Sequence, residues 1–118
     1  MREFVWSPAE KKAAHAAFDA ALARECSAIR REVEAMLQRS SDPAEIWRVH
    51  DYLAEKRREI DHKYDFRYSV LMSVFGRLFA EGWVNEAEIA ELKPEKVEQI
   101  KRSASAWKDA DASWPEGE

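Results

Sequence analysis

The chain has one cysteine, Cys26. A disulfide within a single chain is therefore excluded, and with it the class of small secreted scaffolds. Placed on the first helix, Cys26 reads as a small buried hydrophobe rather than a nucleophile. Glycine and proline are also scarce, at three and four residues, and no β-rich segment stands out. No apolar run approaches the length of a membrane-spanning helix. The opening MREFVWSPAE has no apolar core behind its basic residue. It does not read as a signal peptide, and the cytoplasm is the expected compartment. Gly-rich phosphate loops, an H-E-x-x-H pair and a nucleophile elbow are all missing, so enzymatic activity is not expected.

A strong charge of one sign is missing too. Lys and Arg number 19 against 23 Asp and Glu, a formal net charge of −4. Neither nucleic acid nor an anionic membrane is an expected partner on that balance. The densest basic run, Lys56-Arg57-Arg58, is bracketed by Glu55 and Glu59. It reads as a salt-paired, solvated helix face.

What the chain does have is helix-forming residues, chiefly Ala, Glu, Arg, Lys and Leu. That composition belongs to long helices or coiled coils. The length fits one all-α domain with a modest core. Helix starts are legible at Ser7-Pro8-Ala9-Glu10, Asp42-Pro43-Ala44-Glu45 and Asn85-Glu86-Ala87-Glu88, each a capping box. Lys93-Pro94-Glu95 starts a last helix with a poorer cap. The first helix is expected from Pro8 to near Arg39, with a narrow seam of Phe18, Leu22, Cys26, Ile29, Val33 and Met36. Such a helix needs a partner along its whole length. The second starts at Pro43 and returns antiparallel after the short Ser40-Ser41-Asp42 loop. A break is expected near Asp61 to Asp65. A third helix, about Phe66 to Glu81, has a broad apolar face and ends at Gly82 in a left-handed cap.

The expected architecture is a two-helix stalk, about residues 8–64, and a small helical head, about 65–107, with a frayed tail over 109–118. The stalk has too little apolar material to stand alone, so a homodimer through the stalk is expected. The lone Trp114 in the tail supports no argument of its own.

The second helix carries the most informative pattern. Ile46, Val49, Leu53, Ile60 and Tyr64 share one stripe of the helical wheel. Trp47 and Ala54 do not. They share an adjacent flank with His50, Asp51 and Asp61. This flank reads either as a partner surface or as an internal stalk contact. Arg57 falls inside the apolar stripe, where it needs a carboxylate or must snorkel. Asp61, one turn on, can pair with it, and Asp51 could reach it across a dimer axis. Glu59 and His62 make one E-x-x-H. A di-metal bundle needs two such elements and further carboxylates, so neither a metal nor a cofactor is expected.

From Trp47 the chain reads W-x-x-H-D-x-L-x-x-K-R-x-E-I-D-x-K-Y-D-x-R-x-S-V, with V-F-x-x-L-x-x-E-G from Val74 to Gly82. Upstream lie W-S-x-A-E from Trp6 and A-H-A-x-F from Ala14. In these elements the sequence resembles the fluorescence recovery proteins, helical regulators of the orange carotenoid protein, from about Trp6 to about Lys101. The resemblance implies an all-helical dimer that binds the photoactivated carotenoid protein, or a related carotenoid-binding domain, at its C-terminal domain. It implies faster return of that protein to its resting form. It also implies that Trp47, His50, Asp51 and Arg57 belong to the dimer and partner surface, to which the flank adds Ala54 and Asp61. Ser73 and Gln99 depart from the pattern, standing where a large apolar residue and a lysine are expected. Both belong to the head, which leaves open a helical dimeric adaptor with a different protein partner.

Overall fold

The computed structural model describes residues 5–112. Five helices follow one another: α1 (Pro8–Arg39), α2 (Glu45–Lys63), α3 (Leu71–Glu81), α4 (Glu86–Ile89) and α5 (Pro94–Ala112). They build an elongated body of 53 × 33 × 23 Å. The expected all-α class, with a helical hairpin and a head, is what forms.

Local chemistry explains the ends. Ser7 Oγ accepts from the Glu10 N–H at 3.1 Å, and Glu10 Oε1 accepts from the Ser7 N–H at 3.1 Å. This reciprocal box starts α1 with Pro8 in its first turn. Asn85 and Glu88 make the same exchange at the start of α4. Gly82 closes α3 at φ 86° and ψ 11°, a left-handed conformation that only glycine adopts without strain.

The box expected at Asp42 does not form. Asp42 Oδ1 accepts from the Ala44 N–H at 2.9 Å, an Asx turn that delays α2 until Glu45. Glu45 is buried and takes Arg48 instead, at 2.8 Å. The polar stretch at Asp61 to Asp65 does end a helix: α2 stops at Lys63. However, α3 starts at Leu71 rather than near Phe66. Arg67 reaches back to Asp65, with Nη2 2.6 Å from Oδ2, while Phe66 and Tyr68 turn into an aromatic cluster with Trp6, His15 and Phe18. Tertiary packing of these rings holds 65–70 in an irregular connection. At the other end α5 runs to Ala112, past Asp109, where the periodicity fades. Trp114 lies outside the described residues.

The core differs from the expected seam. The side of α1 that is buried carries Glu10, Ala14, Ala17, Ala21 and Glu25, spaced at three and four residues. The alanines keep this side of α1 small where it faces the head, and the buried core runs on through Leu71, Phe75, Leu78, Val84, Ile89 and Ile100. Leu22, Ile29, Val33 and Met36 are only half-buried, and Cys26 is exposed rather than buried. From Glu25, which meets Lys63 at the end of α2, to Arg39, α1 runs beside α2, and that helix covers the seam residues only in part. A helix of 19 residues covers about 28 Å at 1.5 Å per residue, too short to line the 32 residues of α1. Where α2 ends, the head takes over, so the N-terminal half of α1 serves the head as well as the stalk.

Helices α3 and α5 form the closest pair. A Cβ built on Gly76 would stand 2.2 Å from Ser103 Oγ and 2.4 Å from Ser103 Cβ. Gly76→Ala should therefore destabilise the fold by about 1–3 kcal/mol despite the better helix propensity of alanine. Adding Ser103→Gly should recover part of the loss, as read from urea unfolding midpoints.

A buried ion pair ties α5 to the start of α1. Lys96 Nζ lies 3.1 Å from Glu10 Oε2, donates to the Val5 carbonyl at 2.6 Å and sits 5.0 Å from the Trp6 ring centre. Burial by itself raises the Glu10 pKa. The Lys93 and Ser7 N–H groups and the Lys96 ammonium outweigh it and hold the carboxyl at about 2. Since the folded value lies below the ordinary 4.5, this group's contribution is complete above about pH 4.5 and is lost as pH falls through about 2. Unfolding midpoints of the native chain should decline across that window, and Glu10→Gln should flatten the decline.

Candidate functional site

Helix α2 buries only Glu45 and Lys63, its two terminal residues. Everything between is half-buried or exposed. Val49, Tyr52, Lys56 and Ile60 are half-buried. The other side of α2 faces solvent.

On that outer side stand the residues singled out by the sequence. Trp47 is 67 % exposed. Its ring meets the His50 imidazole edge-on, with centroids 6.4 Å apart. His50 Nδ1 lies 3.4 Å from Asp51 Oδ1. One turn beyond, Ala54 is half-buried. Arg57 Nε donates to both oxygens of Asp61, at 3.1 and 3.0 Å. All six therefore share one helix, and five of them are exposed. Helical spacing alone brings them together.

Two expectations about this helix change. Arg57 is not a charge within a buried stripe: its side chain is 79 % exposed. The stripe itself is only partly covered: Val49, Ile60 and Tyr64 are half-buried, while Ile46 and Leu53 are 56 % and 42 % exposed. Periodicity grouped these two with the core. In the structure they extend the Trp47 flank into a broad apolar and polar face, and Leu37 of α1 is exposed as well. An exposed indole beside two exposed aliphatic side chains is the composition of a protein-binding surface. Covering each of them gains about half of the 1.5–3 kcal/mol that full burial of such a side chain contributes. The flanking His50–Asp51 and Arg57–Asp61 pairs contribute little while solvated. Desolvated by a partner, they select one register and penalise others.

Among the described residues no group of three His, Cys, Asp or Glu side chains could hold a metal ion, so Glu59 and His62 remain a single E-x-x-H. No described helix is long and apolar enough to cross a membrane.

The head carries a second feature. Ser73 is exposed and borders a cavity of about 270 Å³, with Val70, Val74, Arg77 and Trp107 among its walls. The Arg77 guanidinium lies 4.9 Å over the Trp107 ring. Gln99 is half-buried on α5.

A junction that sequence reasoning missed lies at the end of α2. Lys63 is buried and donates to Glu25 Oε2 at 2.6 Å and to Glu81 Oε1 at 2.7 Å. The Tyr64 hydroxyl donates to Glu25 Oε1 at 2.9 Å. Burial and the adjacent Glu25 carboxylate push the Tyr64 pKa well above its ordinary range, so the phenol stays a donor. Burial raises the Glu81 pKa, but Lys63 and Arg77 more than offset this and keep it ionised. Lys63 sits in a polar run with no periodic signal, so nothing in the sequence marked it as interior.

Because the outer face of α2 makes no core contact, Trp47→Ala and Asp61→Asn should leave the stability of an isolated chain within about 0.5 kcal/mol. Urea unfolding followed by circular dichroism, at the lowest usable protein concentration, measures this.

The chain matches a family model described as the photoprotection regulator fluorescence recovery protein over residues 6–104. It is 40% identical over 102 residues to the fluorescence recovery protein of Synechocystis sp. PCC 6803, covering 86% of this chain and 94% of that one. Solved structures agree. The fluorescence recovery protein of Fremyella diplosiphon superposes with a TM-score of 0.78 at 39% identity, covering 86% of this chain and 99% of that chain. The Synechocystis structure gives a TM-score of 0.79 at 40% identity, with the same coverage.

Proposed function

From the premise that this chain belongs to the fluorescence recovery protein family of photoprotection regulators, we propose that it forms a homodimer through its stalk and binds the photoactivated orange carotenoid protein. The binding site on that partner is its C-terminal domain, and the consequence is faster return to the resting form. The proposed compartment is the cytoplasm, and the chain acts without a cofactor of its own.

One observation carries the reading. The apolar and aromatic surface of α2, with Trp47, Ile46 and Leu53 exposed, is left uncovered by the described residues of a single chain. A second copy and a client protein both fit such a face, and they can use different parts of it. Trp47 and Ala54 supply shape. His50, Asp51, Arg57 and Asp61 supply polar pairing that is specific once water is excluded.

The regulatory step needs no bond-making. A protein that binds the re-closing form of its client better than the activated form lowers the barrier between them by that difference. An acceleration of about a hundredfold requires only about 2.7 kcal/mol of differential binding.

A second reading is favoured by the head. Ser73 leaves a cavity where the family pattern expects a large apolar side chain, and Gln99 replaces an expected lysine. A chain that keeps the fold and the α2 surface but differs there fits an adaptor for another protein.

In sedimentation at tens of micromolar, roughly the range for interfaces of ordinary affinity, the native chain should run as a dimer. Trp47→Glu should shift it toward monomer with helicity retained. A compact native monomer contradicts the dimer. Dark recovery of photoactivated orange carotenoid protein, followed by absorbance, should speed up when the native chain is added. Asp51→Leu and Arg57→Leu should weaken the effect, while the exposed Glu34→Gln should not. No acceleration at saturating concentration with several carotenoid-protein variants leaves the adaptor reading as the better one.

A further inference from the structure

The α2 surface is useful to a partner only if its direction relative to the head is fixed. Little in α2 fixes it. Between Glu45 and Lys63 the helix has no buried residue, and the loop at its start is held by short-range contacts of Ser40, Asp42 and Ala44. A hairpin of this kind can splay or slide.

The strong restraint lies at the other end. Lys63 Nζ is buried, and it joins three helices at one atom: its own α2, Glu25 of α1 and Glu81 of α3. Glu81 is shared further, with Arg77 Nε at 2.9 Å and with the Trp83 indole N–H at 3.1 Å. Formal charges in the cluster cancel, with Lys63 and Arg77 against Glu25 and Glu81. Every carboxylate oxygen of the two glutamates has a donor. A buried ammonium in such a setting tolerates little displacement, since withdrawing it leaves the buried Glu25 carboxylate with only the neutral Tyr64 donor.

We infer that Lys63 is a positioning residue: its paired contacts to Glu25 and Glu81 set the angle at which α2 leaves the head, so that the α2 surface and the head meet a partner as one rigid body. Two parts of one surface held in fixed relation act at high effective concentration, and loosening their connection weakens the combined contact without removing any contacting side chain. The geometric half of this inference is independent of the client's identity. The consequence for carotenoid-protein recovery rests on the function proposed above.

The test measures geometry and activity separately. In a Cys26→Ser background, spin labels at Glu55→Cys on α2 and Ser105→Cys on α5 report the stalk–head distance by pulsed dipolar spectroscopy. Excess unlabelled protein suppresses signals between copies. With Lys63 in place, one narrow distance distribution is expected. Lys63→Met should broaden or shift it while helical content is retained, and Lys63→Arg should restore the narrow distribution. Without labels, Lys63→Met should raise the concentration needed for half-maximal acceleration by about tenfold, with Lys63→Arg recovering most of the loss.

An unchanged distribution in folded Lys63→Met overturns the inference. If Lys63→Met loses its helicity, Glu25→Gln, which keeps the ammonium and one carboxylate, is read in the same way. Global unfolding of both variants assigns the cluster to stability alone and also overturns it. A native chain that accelerates nothing, together with the expected distance changes, defeats the functional proposal and leaves the positioning role standing.

Discussion

The Lys63 ammonium, held between Glu25 and Glu81, is the interaction on which the arrangement of the helices turns. Moving an ammonium out of water costs several kcal/mol unless carboxylates and further donors compensate. Here two carboxylates do so, and Arg77, Tyr64 and Trp83 complete their coordination. The cluster marks where α2 stops alongside α1 and where the head begins. N-terminal to it α1 is covered by the head; C-terminal to it α1 runs chiefly beside α2.

Glutamates that cap helices also connect them. Glu10 closes the box at the start of α1, then accepts from the Lys93 N–H at 2.9 Å and from Lys96. It thereby supplies from another helix the cap that Lys93 lacks. Glu88 closes the box of α4 and takes a two-point contact from Arg24 of α1, at 2.8 and 2.9 Å. In each case one carboxylate satisfies an exposed helix start and holds a distant segment. Such double use suits a small core, which has few other means of fixing its helices.

The stalk follows a different economy. Its polar pairs are exposed and weak, and its apolar side chains are left partly in water. A face of this kind stabilises an assembly rather than the single chain.

Much of this was legible in the sequence, because it follows from contacts within a few residues. The capping boxes at Ser7 and Asn85, the left-handed stop at Gly82 and the apolar face of α3 are local, and each forms as the spacing indicates. The Trp47 to Asp61 flank is equally local, since one helix carries all six residues, and the long mixed motif around it is what made the family recognisable. Tertiary structure decided the rest. The alanines of α1 became its buried side because the head, reached after a chain reversal, packs there. Ile46 and Leu53 became surface because no other described element covers them. Lys63 became interior because Glu25 and Glu81, 38 and 18 residues away, converge on it. Periodicity reports which residues share a face, but what lies against that face depends on partners distant in sequence.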